Sequence, residues 1–441
     1  MSQWQKVKIG DICKIVKGTT GIASAEPGEY PLVVTAEERK TCSSYQFDCE
    51  AVCIPLVSSS GHGKKSLKNV HYQSGKFALG TILCAVIPNN SEQLDARFLH
   101  QYLQFYKDTI LVPLMKGAAN VSLSMKDIAT VEIPLPPIEN QRELSDLFIT
   151  LQEKQKKLAA ETEQQLEYTK LLRQNILQDA IEGKLTADWR KSHPVIKGNS
   201  DYDAEALFEV LQLTKLQLIK DKLILKKTQT KPFYTKEDYP FSIPIDWKLV
   251  QLADISIIQE GAGIRKFQYA KEGIQLLCVT NILNGKVDLE LKKLFITKEE
   301  YELKYKHLAL NKGDIVTSCS GGSWGKVAFY SLDDTVVMNT STLRLRIFND
   351  ISLNQYLYYI CNSSFFKNQL KAQLVGMQPN FGYAHYSRIM IPLPPLKEQE
   401  EIVTKVKSLL ERVTEVENQI QERKTLSEKL AFGIIKEKLE G

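Results

Sequence analysis

The sequence contains no uncharged apolar run of the roughly 18 residues needed to cross a bilayer. The longest, Phe77 to Ser91, already holds Pro88, Asn89 and Asn90. The N-terminal Met1-Ser2-Gln3-Trp4-Gln5-Lys6 lacks the apolar stretch of a secretory signal, so a cytoplasmic protein without a membrane partner is expected. Charge of one sign is scarce too: 57 Lys+Arg face 52 Asp+Glu, leaving +5 over 441 residues. That balance is too small to announce a polyanionic partner, and any basic surface has to be local. The eight cysteines (13, 42, 49, 53, 84, 278, 319, 361) form no paired framework, which fits reduced thiols, and the six histidines form no cluster.

Enzyme signatures are missing as well. Ser58-Ser-Ser-Gly-His-Gly-Lys-Lys-Ser66 has Ser58 where a phosphate loop needs its first glycine, and Lys65 where it needs Ser or Thr. Gly261-Ala-Gly-Ile-Arg-Lys has Lys266 in place of the third glycine of a dinucleotide fingerprint. Every double proline sits in Leu-Pro-Pro followed by Ile or Leu, so the Asn/Asp-Pro-Pro-Tyr/Phe motif of base methylation is absent. No catalytic residue and no cofactor are expected on this chain.

What is present is a chain written twice. Ile133-Pro-Leu-Pro-Pro-Ile-Glu-Asn-Gln141 returns as Ile391-Pro-Leu-Pro-Pro-Leu-Lys-Glu-Gln399. Trp4, Asp11 and Gly18 return as Trp247, Asp254 and Gly261, and Gly28…Leu32-Val-Val-Thr35 as Gly273…Leu277-Cys-Val-Thr280. Order is kept, so a tandem duplication follows. Each unit reads Trp, a β-rich body, an Ile-Pro-Leu-Pro-Pro hinge and a long helix.

The bodies, 1–137 and 243–395, hold short Val/Ile/Thr/Tyr runs broken by Gly, Asn and Pro, and alternation in Thr342-Leu-Arg-Leu-Arg-Ile347 marks a strand. Each also carries a predicted helix, Leu94 to Tyr106 and Ile351 to Leu374, making the class α+β. Past each double proline the period changes to alternating steps of three and four, a coiled-coil seam. The seam residues are Leu144, Leu147, Leu151, Leu158, Leu172 and Ile176 in the first helix (138–185), with polar Gln155, Thr162, Gln165 and Thr169 interrupting. In the second helix (396–441) they are Ile402, Val406, Leu409, Val413, Val416 and Ile420, then Leu430 and Ile434. Each rod spans about 65 Å at 1.5 Å per residue, with Gly183 a plausible stop for the first. The simplest pairing is an antiparallel two-helix coiled coil about a pseudo-two-fold axis, holding the bodies at opposite ends. In it the first helix delivers the chain to the second body and the second returns it to the first. Residues 186–242 form a connector with an amphipathic piece, Ala204 to Lys222 (Leu207, Phe208, Leu211, Leu218), and a Lys/Thr/Pro-rich linker.

Cys49-x3-Cys53 with Cys42, His62 and His71 nearby matches no common zinc spacing, and the second copy sets Ile315 opposite Cys53, so no metal site is expected. Aligning Lys64 with Lys326 superimposes Ser58-Ser-Ser-Gly-His-Gly-Lys64 on Ser320-Gly-Gly-Ser-Trp-Gly-Lys326. Both loops are small, polar and glycine-rich and end in Gly-Lys. Such loops let backbone approach phosphate and add a cation and a flat ring. Candidate DNA contacts are therefore Lys64, His62 and Ser60 in one loop and Lys326, Trp324 and Ser323 in the other. Further candidates are Lys17, Thr19 and Arg39 near the start of the first unit and Arg265, Lys266 and Asn281 in the second, where cations neutralise phosphates and amides pair base edges. Each alone is more ordinary as an exposed turn.

Two hinges each followed by Gln and a seam helix, with Leu171-Leu-Arg-Gln-Asn-Ile-Leu-Gln178 and Glu182-Gly-Lys-Leu-Thr-Ala-Asp-Trp-Arg190, resemble the specificity subunit of type I restriction–modification enzymes over the whole length. The resemblance implies two target recognition domains, each gripping half of a bipartite asymmetric DNA site, and helices that set the gap and dock two methyltransferase subunits. Restriction subunits would join through the complex, with S-adenosylmethionine, ATP and Mg on those partners. The second helix departs in ending Glu437-Lys438-Leu439 instead of Gly-Lys-Leu. Alternatives are a stand-alone bipartite DNA binder and a coiled-coil protein adaptor without DNA affinity; a steep salt slope separates the last from the others.

Overall fold

The structure, a computed structural model, describes residues 4–60, 63–118, 120–227, 230–348, 351–374 and 378–440. Each repeat closes on itself. Strand Lys6–Lys8 pairs antiparallel with Glu132–Pro134, and Lys248–Gln251 with Met390–Leu393. The Ile-Pro-Leu-Pro-Pro segment, expected to end a strand ladder, thus begins inside one. Leu135 N–H donates to Gln5 O at 2.9 Å, so Pro134 falls where the alternating ladder asks for no donor.

The larger sheet of the first body runs, in spatial order, Cys13–Lys17, Leu83–Pro88, Ala51–Pro55, His71–Gln73. That of the second body runs Ser256–Glu260, Thr342–Ile347, Ile315–Ser318, Val327–Phe329, Gly285–Lys286. A smaller sheet follows the same scheme in both, built on one parallel pair: Tyr30–Val33 with Lys76–Leu79, and Ile274–Leu277 with Val336–Met338. The duplication is therefore visible in the first four strands of the larger sheets and in the parallel pair of the smaller ones, while Gly285–Lys286 is an addition of the second body. Matching the ladders that begin at Cys13↔Pro88 and Ser256↔Ile347 places Cys53 on Val316, not on Ile315 as the sequence alignment had it.

Helix Ala96–Ile110 starts two residues later than expected because the Asp95 carboxylate caps it, accepting from the N–H groups of Arg97 and Phe98 at 2.8 and 3.0 Å. The single helix expected from Ile351 to Leu374 is two, Ile351–Asn362 and Ser364–Lys371. Ser363 breaks it: its Oγ accepts from Phe366 N–H at 3.2 Å and donates to Ile360 O at 2.6 Å, so the hydroxyl replaces a helical bond. The connector holds helices Ala187–Ser192 and Ala204–Lys220, the latter burying Leu207 and Leu211.

The long helices are Ile138–Ile181 and Leu396–Glu440. Gly183 sits at φ +72° just past the first, and a Cβ there would come within 2.5 Å of Pro244 Cγ, so only glycine serves. Two compact units result: Met1–Gln164 with Ile420–Gly441, and Gln165–Gln419. In the first, Ile435 and Leu439 of the second long helix enter the core around Phe98, Leu103 and Phe148, and Phe432 stacks on Phe105 at 5.1 Å. In the second, Ile176, Leu177, Ala180 and Ile181 of the first long helix join a core with Trp247, Leu252, Ile402, Val406 and Val413. There Arg173 holds Glu417 through two bonds of 3.0 and 2.7 Å and Thr414 at 2.7 Å, while Lys405 Nζ donates to Leu185 O at 3.0 Å. Advancing along one helix means receding along the other, so the segments are antiparallel.

Leu144, Ile176, Ile402, Val406, Val413 and Ile420 are buried, and Leu147, Leu151, Leu158 and Leu409 half-buried. Three assigned seam residues are not covered: Leu172 is 48%, Val416 46% and Leu430 63% exposed. Thr162 and Thr169, read as interruptions, are buried instead, in line with Phe148 and Ile176 at multiples of seven. Past Leu430 burial falls one residue on, at Ala431, Ile435 and Leu439. One residue is about 100° of helix rotation, and the side that faces a body is set by that body, not by where leucines are densest.

Candidate nucleic-acid interface

In the second body, strands Ser256–Glu260 and Ile315–Ser318 end, and strand Thr342–Ile347 begins, at one edge of the larger sheet. The loops leaving that edge are stitched together: Gly261 N–H to Thr342 O at 2.9 Å, Ala262 N–H to Met338 O at 3.1 Å, Cys319 N–H to Ser341 O at 2.8 Å and Gly321 N–H to Pro379 O at 3.1 Å. A Cβ on Gly261 would lie 2.0 Å from Asn339 O, so the close approach depends on glycine. The topology thereby gathers Arg265, Lys266, Ser323, Trp324 and Lys326 at one end of the sheet.

They differ in availability. Arg265 and Lys266 are exposed and Lys326 is half-buried. Ser318 Oγ accepts from Lys326 N–H at 3.1 Å and donates to Ser323 O, fixing that loop's backbone. Trp324 packs on Phe381 with ring centroids 5.0 Å apart, so one face is already used. Behind Gly325 lies Lys367, unremarked in the sequence, whose amine burial pushes down and which has no carboxylate partner among the described residues. Asn281 is a correction: it is wholly buried, its Nδ2 donating to Asp288 O at 2.9 Å and Lys292 O at 3.0 Å and its Oδ1 accepting from Cys278 N–H at 3.0 Å. It staples a loop and has nothing left for a base.

The same edge of the first body collects Lys17, Thr19 and residues 58–60 and 63–66. Gly18 N–H donates to Leu83 O at 3.0 Å, Thr20 N–H to Leu79 O at 3.0 Å and Ser58 N–H to Val121 O at 3.0 Å. Gln46 holds Lys17 and Thr19 in place, donating to Lys17 O at 2.9 Å and accepting from Thr19 N–H at 3.0 Å. Lys17, Thr19, Lys64 and Lys65 are exposed. The Ser60 hydroxyl is engaged within its loop, 2.7 Å from Ser66 Oγ. His62 lies outside the described residues.

Both loops use one serine to clasp a backbone N–H eight residues on, Ser58 with Ser66 at 3.2 Å and Ser318 with Lys326 at 3.1 Å. Strand register, however, matches Ser318 to Pro55. The clasp is thus displaced by a few residues between copies, and Lys64 and Lys326 do not occupy equivalent positions as the alignment assumed. The connection from Pro55 to His71 is longer than that from Ser318 to Val327, and loop length moves the turn.

Arg39 is the second correction. Its guanidinium donates to Gln73 Oε1 at 3.0 Å, Glu37 O at 2.9 Å and Tyr72 O at 3.2 Å and lies 3.1 Å from His71 Nδ1, so it braces the body from within. Burial first, and the Arg39 charge second, push His71 down to about 4. The unfolded imidazole, near 6.5, takes up a proton the folded one refuses. Stability is therefore full above about pH 6.5 and is lost as pH falls towards 4, by something on the order of 3 kcal/mol for this group. We expect His71→Asn to flatten the fall in melting temperature between pH 7 and 4.5; an unchanged profile would assign that fall elsewhere.

A polar node inside the second unit escaped sequence reasoning. Glu398, 1% exposed, accepts from Trp247 Nε1 at 2.7 Å and Thr186 Oγ1 at 2.7 Å and pairs with Arg190, which also donates to Gly183 O at 2.7 Å. The residues from Gly183 to Arg190 thus lock the end of one long helix to the start of the other. In both copies the glutamine after the double proline clasps back, Gln141 to Pro136 O at 2.8 Å and Gln399 to Pro394 O at 2.7 Å. Invariant spacing from Pro-Pro to Gln was the available signal. Among the described residues no three His, Cys, Asp or Glu are grouped to hold a metal, and no helix is long and apolar enough to cross a membrane. All eight cysteines are free thiols; burial pushes Cys13, Cys84 and Cys319 up to about 12, so none of these three supplies a thiolate near neutrality.

The family model for the type I restriction modification DNA specificity domain matches residues 1–168 and again 244–423. The type I restriction enzyme MjaVIII specificity subunit of Methanocaldococcus jannaschii is 23% identical over 426 residues, 92% of this chain and 86% of its own. The EcoDI specificity subunit of Escherichia coli is 23% identical over 433 residues, 95% and 83% of the two chains, and the EcoAI specificity subunit of the same species 28% over 258 residues, 57% and 41%. Among solved structures, a chain from work on complex assembly and conformational transition of the type I R-M system superimposes with a TM-score of 0.66 at 15% identity, covering 99% of this chain and 98% of that one, which supports the fold. With two matches that together take in well over half of its residues, this α+β chain belongs to the family of type I restriction–modification specificity subunits and carries the DNA specificity domain in tandem.

Proposed function

We propose that this chain, itself without catalytic residues, reads a bipartite asymmetric DNA site, one half through the loop edge of each body. Methyltransferase subunits dock on it and restriction subunits act through them, in the cytoplasm, with S-adenosylmethionine, ATP and Mg²⁺ on those partners. The observation that carries this reading is the gathering of cations at the same sheet edge in both copies: exposed Lys17, Lys64 and Lys65 in one, exposed Arg265 and Lys266 with half-buried Lys326 in the other. Phosphate contacts from such cations would fix the register and orientation of each body on the duplex. The long helices serve as the spacer between half-sites.

Co-expression with neighbouring genes and mapping of methylated adenines tests this. The expected result is a complex whose methylation marks a two-part motif and whose DNA affinity falls steeply with salt. DNA binding by the chain alone at full specificity would favour the stand-alone binder; affinity independent of salt would favour the protein adaptor. Lys326→Glu should weaken binding at one half-site and Lys64→Glu at the other, read by competition with half-site mutants. Unchanged affinity across salt would remove either residue from the interface.

A further inference from the structure

Among the exposed cations of the second body stands one aromatic ring that packing does not explain. Phe267 is 87% exposed, directly after Arg265 and Lys266, which are exposed too. It is presented on a turn that is held firmly. The Lys266–Gln268 helical turn is anchored by the Gln268 side chain, whose Oε1 accepts from Arg265 N–H at 3.0 Å and whose Nε2 donates to Glu300 Oε1 at 2.7 Å and Tyr305 OH at 3.0 Å. The flanks are fixed as well, by Ala262 N–H on Met338 O at 3.1 Å and Ala270 N–H on Phe295 O at 2.8 Å. A phenylalanine in water forgoes the stabilisation that burying its ring would contribute, and a clasped turn cannot fold it back into the core.

We infer that Phe267 is a DNA-contacting wedge of the second recognition domain, its ring stacking on or inserting beside a base while Arg265 and Lys266 hold the flanking phosphates; this rests on the DNA-reading function proposed above. Duplex DNA is the occupant that fits the chemistry. Bases offer π faces and a thymine methyl to an apolar ring, and phosphates on either side meet the two cations. A protein interface would also suit Phe267 and Arg265 but not Lys266, lysine being depleted there, whereas two adjacent cations beside a ring match phosphates on either side of a base. The turn is held by Gln268 and not by the ring, so position 267 is free to vary with the sequence being read.

The test uses the intact complex with its methyltransferase subunits and oligonucleotides carrying the mapped site, with 2-aminopurine placed in turn at each position of the second half-site. Base stacking on aromatics predicts a roughly 5- to 150-fold loss of specific affinity in Phe267→Ala, with the salt slope unchanged. Phe267→Trp should retain most of the affinity, and Lys266→Ala should lower the salt slope by about one. At one probe position the fluorescence change seen with the unaltered complex should vanish in Phe267→Ala. Equal affinity and equal fluorescence in Phe267→Ala would overturn the wedge while leaving the DNA-reading function intact, as would loss of methyltransferase subunits from the variant with no direct change at DNA. Failure of the unaltered complex to bind the bipartite site strikes the parent proposal instead.

Discussion

Lengthening both long helices by one heptad, duplicating residues 162–168 in the first and 413–419 in the second, should move the two halves of the methylated site apart by about three base pairs. Seven residues add about 10.5 Å of helix, and B-DNA rises about 3.4 Å per base pair. A heptad is also close to two full turns, so the buried line through Thr162, Thr169 and Ile176 continues in phase and Arg173 keeps its partners Thr414 and Glu417. Each body keeps its loops, so both half-site sequences should stay as they are while the original site goes unmethylated. Adenine methylation mapped across a genome reads the gap directly. Methylation of the original site with its original gap would end the spacer role.

The second large effect is on stability. Removing the Glu398 carboxylate leaves Arg190, whose side chain is 19% exposed, without its counter-charge and takes acceptors from Trp247 and Thr186 at once. Breaking a buried pair from one side costs about 3–5 kcal/mol, so Glu398→Ala should lower the unfolding free energy of the second unit by that much and expose amides of residues 183–190 to hydrogen exchange. The double variant Glu398→Leu with Arg190→Leu should recover a large part of the loss, because no lone charge remains. A Glu398→Ala protein within 1 kcal/mol of the original would show the node to be incidental. The first unit is the internal control: Asn140 occupies the corresponding place after its double proline.

The duplicated architecture was readable from residues alone, because the repeated Ile-Pro-Leu-Pro-Pro segments mark a helix start just beyond the double proline and the steps of three and four need a helix; that the segments begin inside a two-stranded ladder was not. Prolines and periodicity act over a few residues, and so do Gly183 as a helix stop and Ser363 as a cap, although the second was passed over. Antiparallel pairing already leads each helix to the other body, but not to the residue at which the units divide: each unit is closed by part of the other repeat's helix, through Ile435 and Leu439 in one and Ile176 and Ile181 in the other.

The candidate interface divides along the same line. Local chemistry picked out Lys64, Lys326, Arg265 and Lys266, and strand topology brought those of each body to one sheet edge. Arg39 and Asn281 carry the same chemistry on paper, but in the folded chain their hydrogen-bonding groups are spent within the protein, on distant Gln73 and Tyr72 for one and on nearby Cys278, Asp288 and Lys292 for the other. Phe267 shows the converse, an apolar side chain that hydropathy assigns to a core and that the fold leaves in water. Period, breakers and repetition are short-range properties written into the chain. Which polar group is satisfied and which apolar one stays uncovered is settled by partners that only long-range packing supplies.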